Sequence, residues 1–172
     1  AVSNITGFPA IANKQAEILI LGSMPSDMSL QKQQYYGHQQ NAFWPIMLRL
    51  FNKDSELSYS KRQQLLMQNN IAVWDVLQSC YRKGSLDAAI KMDTIKVNEF
   101  QDFFSHHTKL RIVCFNGAKA EALYNKHVLA HIGDAFESLD YIRLPSTSPA
   151  YAAMSLQQKM AIWTNCLKDY RL

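Results

Sequence analysis

Apolar and polar positions follow two alternating rhythms along this chain. Residues 17–21, 71–76, 111–115 and 141–144 are short, nearly uninterrupted apolar runs, with the length and composition of strands buried on both faces. Between them the apolar positions recur at helical spacing. Helices are predicted over 42–51 and 58–69, between the first two strands, and over 97–107, before the third. Two more are predicted over 117–129, between the third and fourth strands, and over 154–170, at the end. In that last segment Met154, Met160, Ile162, Trp163 and Leu167 fall at intervals compatible with one buried face. Strands alternating with helices at these distances predict an α/β fold, a three-layer αβα sandwich with a central four-stranded parallel sheet.

Each predicted strand runs into a turn of small or polar residues. These turns are Gly22-Ser23-Met24-Pro25-Ser26, Trp74-Asp75, Asn116-Gly117 and Pro145-Ser146-Thr147-Ser148-Pro149. In a parallel sheet all four lie at one edge, the carboxyl edge, where open α/β sheets bind ligands. A polar loop follows the first turn and carries Tyr35, Tyr36, His38 and Asn41, with an apolar helix directly behind it. Aromatic faces, an imidazole and a side-chain amide are therefore gathered where the fold opens a crevice, and a planar ligand held for chemistry needs such a set.

Composition narrows the class. A chain of 172 residues, 48% apolar or aromatic, is expected to form one domain, 1–172, with a full core. No apolar run approaches the roughly 20 residues of a membrane span, and no basic segment followed by an apolar stretch marks a secretory signal. Cys80, Cys114 and Cys166 are widely spaced, which fits neither a disulfide framework nor a metal motif. Reduced thiols and a cytoplasmic location are expected. The net charge of +4 permits a polyanionic partner without demanding one.

Several chemistries are set aside by missing motifs. The chain has no Gly-x-x-x-x-Gly-Lys-Ser/Thr loop, no Gly-x-Gly-x-x-Gly after the first strand and no Gly-x-Ser-x-Gly elbow. Its histidines, including His106-His107, lack metal spacing with carboxylates or thiols. No cofactor and no metal are expected.

Two blocks then carry a resemblance. Tyr35-Tyr36-Gly37-His38-Gln39-Gln40-Asn41-Ala42-Phe43-Trp44, following Gly22-Ser23-Met24-Pro25, and Leu144-Pro145-Ser146-Thr147-Ser148-Pro149-Ala150 are similar to motifs of the uracil-DNA glycosylase superfamily, most closely its hypoxanthine-DNA (deoxyinosine) glycosylase branch. Trp74-Asp75-Val76 with Gly84-Ser85-Leu86-Asp87, and Phe115-Asn116-Gly117, resemble further segments of that branch. The mismatch-specific uracil glycosylases share a similar His-x-x-Asn-x-Phe-Trp block. The resemblance implies a monofunctional hydrolysis: a deaminated base in DNA is flipped out, its bond to C1′ is broken and water attacks the sugar. It also implies DNA containing deaminated bases as the partner, and a monomer is expected.

The resemblance assigns roles residue by residue. Tyr36 stacks on the flipped base, while Tyr35 braces the loop. Asn41 orients the attacking water or caps the helix behind it, two compatible roles. Many superfamily members have Asp or Asn where this chain has Met24, which cannot usefully bond a water. Ser23 joins Asn41 as a catalytic candidate, and Met24 joins Tyr36 at the base. His38 donates to the base or a phosphate, or holds its loop through a backbone carbonyl. Asp75 and Asn116 read the base edge, or cap turns. Pro25, Ser146 and Ser148 contact DNA, with backbone amides helping, and Pro149, Ala150 and Tyr151 are wedge candidates. Two other readings stay open, a mismatch-specific uracil or thymine glycosylase and a lesion-binding relative without activity.

Overall fold

The structure is a computed structural model and describes residues 4–54, 56–132, 136 and 138–170. In chain order the strands are β1 (Asn4–Thr6), β2 (Ile18–Gly22), β3 (Ile71–Asp75), β4 (Leu77–Arg82), β5 (Ile90–Val97), β6 (Ile112–Asn116) and β7 (Asp140–Leu144). The helices are α1 (Asp27–Lys32), α2 (Phe43–Leu50), α3 (Tyr59–Gln68), α4 (Phe100–His106), α5 (Ala118–His127) and α6 (Leu156–Tyr170).

Strands β3-β2-β6-β7 form a parallel sheet in that order. Successive residues of a strand face opposite ways, and β2 divides its side chains accordingly. Leu19 and Leu21 pack with Phe100, Phe104, Leu123 and Tyr124 from α4 and α5. Ile18 and Ile20 pack with Phe43, Met47, Leu66 and Trp163 from α2, α3 and α6. Burying each such side chain contributes about 1.5–3 kcal/mol, so both faces need a cover, and the three expected layers result.

The pairing register also places the chemistry. Gly22 lies opposite Asp75, Leu21 opposite Phe115, and Asn116 opposite Leu144. The last residues of the four strands thus stand in one row at the carboxyl edge.

Three expectations are corrected. The strand expected to be buried at 141–144 is an edge strand: Asp140, Tyr141, Ile142 and Arg143 are exposed and Leu144 alone of the five is buried. Its charged residues blunt an open edge, and Arg143 pairs with Glu121 at 3.5 Å. The helix expected from residue 97 begins at Phe100, because Val97 still belongs to β5, which it ends. The segment after Ser26, expected as loop, opens with the short helix α1, whose first turn Ser26 caps by accepting from the Ser29 amide at 3.2 Å.

A second sheet went unread in the sequence. Strands β1-β4-β5 form an antiparallel sheet. The chain enters it directly from β3 through Val76, whose amide donates to the Gly22 carbonyl at 2.8 Å. The β4–β5 connection therefore returns to the carboxyl edge of the parallel sheet.

Candidate active site

The turn after β2 is held from below. Arg82, fully buried, donates from Nη2 to the Pro25 carbonyl and from Nε to the Gly84 carbonyl, both at 2.6 Å. The Ser23 hydroxyl donates to Asp87 Oδ1 at 2.6 Å. These bonds tie Gly22-Ser23-Met24-Pro25 to the β4–β5 connection. Gly22 itself is demanded by crowding: an added Cβ would stand 2.5 Å from Asp75 Oδ1 and 3.0 Å from Tyr36 Oη.

Asp75 and Tyr36 form the floor. Asp75 ends β3 and is 4% exposed, and its Oδ2 is buried without a hydrogen-bond partner among the described residues. Burial, reinforced by the negative charge of Asp87 and partly offset by Arg82, raises its carboxyl to about 7. Among the described residues the Tyr36 hydroxyl is also buried without a well-formed hydrogen bond, and burial followed by the nearby Asp75 charge, partly offset by the Asn116 amide, pushes it well above the usual phenol range. Each such orphan costs about 1–3 kcal/mol if nothing binds it. Tyr36 adopts a left-handed backbone (φ 54°) that turns its ring onto Phe43, with centroids 4.3 Å apart.

Neighbouring Tyr35 lines the same space, but its polar atoms are engaged elsewhere. Its hydroxyl donates to the Pro9 carbonyl at 2.9 Å, its amide donates to Tyr59 Oη at 2.9 Å, and its carbonyl accepts from Trp44 Nε1 at 2.7 Å. It braces the loop. Asn41 stands at the start of α2, where Oδ1 accepts from the Phe43 amide at 2.9 Å; a second lone pair on that oxygen remains for another donor. His38 lies off the cavity: its Nδ1 accepts from the Gln40 amide at 3.0 Å, so the ring holds its own turn through an amide rather than the carbonyl expected.

Asn116 uses both ends of its amide on Thr147. Nδ2 donates to Thr147 Oγ1 and Oδ1 accepts from the Thr147 amide, each at 2.9 Å. The Thr147 carbonyl in turn accepts from the Ala42 amide at 2.9 Å. Asn116 is thus a clamp joining β6, the last turn and the start of α2, rather than a free reader of the base edge.

The last turn is bonded within itself. Ser146 Oγ accepts from the Ser148 amide at 3.2 Å and Ser148 Oγ from the Ala150 amide at 3.1 Å. The Ser148 and Ala150 amides are therefore already engaged, while the serine hydroxyl protons remain available. The Ser148 carbonyl accepts from the Tyr151 amide and from Lys159 Nζ, each at 3.1 Å. Trp163 Nε1 donates to the Pro145 carbonyl at 2.8 Å. Gly117 (φ 96°) lets the chain pass beneath, since an added Cβ would meet Ser146 Cβ at 3.0 Å.

These pieces enclose a cavity of about 390 Å³, within the range of small-ligand sites, roughly 300–1,000 Å³. Gly22, Ser23, Met24, Pro25, Tyr36, Asn41, Asp75, Asn116, Ser146, Ser148, Ala150 and Tyr151 all line it, and His38 and Pro149 do not. Sequence reasoning missed the wall formed by Ser85, Leu86, Asp87 and Ala88, and the contribution of Thr147. The signal for that wall was the Gly84-Ser85-Leu86-Asp87 turn, whose approach to Ser23 depends on the unrecognised antiparallel sheet. Among the described residues no group of three or more His, Cys, Asp or Glu could hold a metal ion, and no helix is long and apolar enough to cross a membrane.

Comparison with known proteins bears on the family and the fold. A hypoxanthine DNA glycosylase of Methanosarcina acetivorans is 42% identical over 115 residues, 66% of this chain and 72% of that protein. One of Methanosarcina barkeri is 38% identical over the same shares. The solution NMR structure of a candidate uracil DNA glycosylase from M. acetivorans superposes with a TM-score of 0.75 at 34% identity, covering 94% of this chain and 98% of that one. The profile of the uracil DNA glycosylase superfamily matches residues 9–169, and the chain belongs to that superfamily.

Proposed function

We propose that this protein is a monofunctional DNA glycosylase that removes deaminated bases, hypoxanthine first and uracil or xanthine after it. Family membership and the two relatives named for hypoxanthine support the class of reaction and its substrate. The observation that carries the assignment to residues is the cavity floor, where an unpartnered carboxyl and an unpartnered phenol meet beside Asn41.

Extruding a base costs a few kcal/mol, and stacking it on an aromatic face returns about 1–3 kcal/mol. Tyr36, backed by Phe43, supplies that face. A neutral Asp75 carboxyl offers a donor and an acceptor side by side. It accepts from the ring N–H of hypoxanthine or uracil and donates to the adjoining carbonyl oxygen. As the C1′–N bond breaks, negative charge spreads onto the base and this donor stabilises it. The sugar becomes oxocarbenium-like and is captured by water held at Asn41. Ser23 keeps the first turn in place, and Met24 packs beside the base. His38 and Asn116 hold the loops that carry the reacting groups. Pro25, Ser146 and Ser148 meet the DNA backbone, and Pro149, Ala150 and Tyr151 fill the vacated stack. On this reading one 1–172 domain acts as a monomer in the cytoplasm, without metal or cofactor.

The test is abasic-site formation on duplexes containing inosine, uracil, mismatched thymine or xanthine. Inosine should be cleaved fastest, and Asn41→Ala should slow single-turnover excision by about 10²-fold. Faster turnover of mismatched thymine would replace the substrate assignment. No turnover of any duplex would leave a lesion-binding protein, and an unchanged Asn41→Ala rate would move the water elsewhere.

A further inference from the structure

Leu86 stands in the β4–β5 connection, 61% exposed, the highest exposure among the large apolar side chains described. It also lines the cavity. A single exposed leucine is ordinary on a protein surface, but this one sits on a tip that the fold holds fast. Immediately before it, Ser85 Oγ accepts from the Asp27 amide at 2.9 Å. Immediately after it, Asp87 Oδ1 accepts from the Ser23 hydroxyl at 2.6 Å. Two residues back, the Gly84 carbonyl accepts from the buried Arg82 at 2.6 Å, and Gly84 has the left-handed φ of 79° that the turn requires. Leu86 itself is extended (φ −78°, ψ 135°) and its carbonyl accepts from the Ala89 amide at 3.0 Å.

The backbone at Leu86 is therefore pinned on both sides while its side chain is left in water at the mouth of a base-sized cavity. Positive charge lies close by. Lys83 precedes the tip, and Lys119, which lines the cavity, reaches Met92 Sδ of β5 at 3.6 Å. An apolar group on a rigid support, with cations near it for phosphates, has the makeup of a side chain that inserts between bases. Tyr151, 39% exposed, lines the same cavity from the turn after β7.

We infer that Leu86 is a second wedge, which enters the duplex from the β4–β5 tip and holds the stack open while the flipped base occupies the cavity. This rests on the glycosylase reading given above. An unpaired base needs no prying, so the contribution of Leu86 is confined to paired DNA.

Excision of inosine is measured for wild type, Leu86→Ala and Leu86→Met on a fully paired duplex and on a strand whose inosine lies in an unpaired bubble. A 2-aminopurine beside the lesion reports unstacking separately from turnover. Leu86→Ala should lower kcat/KM on the duplex by at least about tenfold, abolish most of the fluorescence rise, and leave the bubble substrate within about twofold; Leu86→Met should restore the duplex rate. Equal losses on both substrates, or no loss on the duplex, would overturn the wedge while leaving the glycosylase intact. Wild-type inactivity on both substrates and on the other deaminated bases would instead remove the reading on which the wedge depends.

Discussion

The floor of the cavity and its 146–151 wall treat their polar groups in opposite ways. At the floor, Asp75 Oδ2 and Tyr36 Oη are buried with no well-formed hydrogen bond among the described residues. In the wall, Ser146, Ser148, the amides of Ser148 and Ala150, and Lys159 bond one another. Both regions follow strands of the same sheet, so depth at the edge does not explain the contrast. A buried group left unpaired destabilises the fold, and it persists where a ligand completes it. A wall whose bonds are already closed keeps its shape. On the proposed reading it presents the same surface to every stretch of DNA backbone, and base chemistry is separated from backbone contact.

Filling the floor should have the largest effect. Gly22→Ala places a Cβ 2.5 Å from Asp75 Oδ1 and 3.0 Å from Tyr36 Oη, so both floor groups must move. Overpacking of this kind costs about 1–3 kcal/mol of stability, and displacing both groups should lower single-turnover excision by on the order of 10³-fold. Thermal melting and excision rates, measured together, check this. A folded variant with near-normal excision would show that the floor does not touch the base.

Titrating the floor comes next. The Asp75 carboxyl, raised to about 7 by burial, keeps its proton in the folded protein over a range where the unfolded chain has lost it. Stability therefore falls as pH rises from the ordinary carboxylate range to about 7 and then levels, a change of at most about 4 kcal/mol. In the proposed mechanism the neutral form is the one that bonds both the ring N–H and the adjoining carbonyl of the base, so kcat/KM should fall about fifteenfold between pH 7 and 8.5. Asp75→Asn keeps a donor beside an acceptor but does not titrate. It should retain activity within a few-fold at pH 6, flatten the rate profile above pH 7 and flatten the stability profile between the ordinary carboxylate range and pH 7. Activity that instead rises through pH 7 in the wild type would mean that the carboxylate, acting as an acceptor, is the working form.

Much of the floor and the 146–151 turn were legible in the sequence, and the wall formed by Ser85, Leu86, Asp87 and Ala88 was not. Buried parallel strands announce themselves as apolar runs, so the row Gly22, Asp75, Asn116 and Leu144 was readable, as were the turns beyond it. The unpaired state of Asp75 was not, because it depends on which neighbours stop short of its Oδ2. Asn116 was placed at the edge correctly, but its bonds to Thr147 cross 31 residues and no local pattern encodes them. Strands β4 and β5 were missed for a different reason. β5 is largely exposed, and β4 sets Gln78, Ser79 and Arg82 among its apolar residues, so both lack the continuous apolar signal of the central sheet. The cavity wall they carry, Leu86 included, went unseen with them.

The smallest expected effect comes from the wall, and it runs against stability. Lys159 is 5% exposed, its Nζ donates to the Ser148 carbonyl at 3.1 Å and lies 5.3 Å from the centre of the Tyr151 ring. Burial lowers its pKa from the usual lysine value, so the charged form is penalised in the folded protein at neutral pH, and stability is regained only as pH rises towards the unfolded value. Replacing a buried charge by an apolar group of similar volume is often neutral or stabilising. Lys159→Met should therefore melt at or above the wild-type temperature. Without the ammonium, the Ser148 carbonyl and Tyr151 lose a shared anchor, and KM for duplex DNA should rise about three- to tenfold with kcat unchanged. The split distinguishes positioning from catalysis. A fall in kcat at constant KM would place Lys159 among the reacting groups, and a lower melting temperature with unchanged kinetics would make it an ordinary structural lysine.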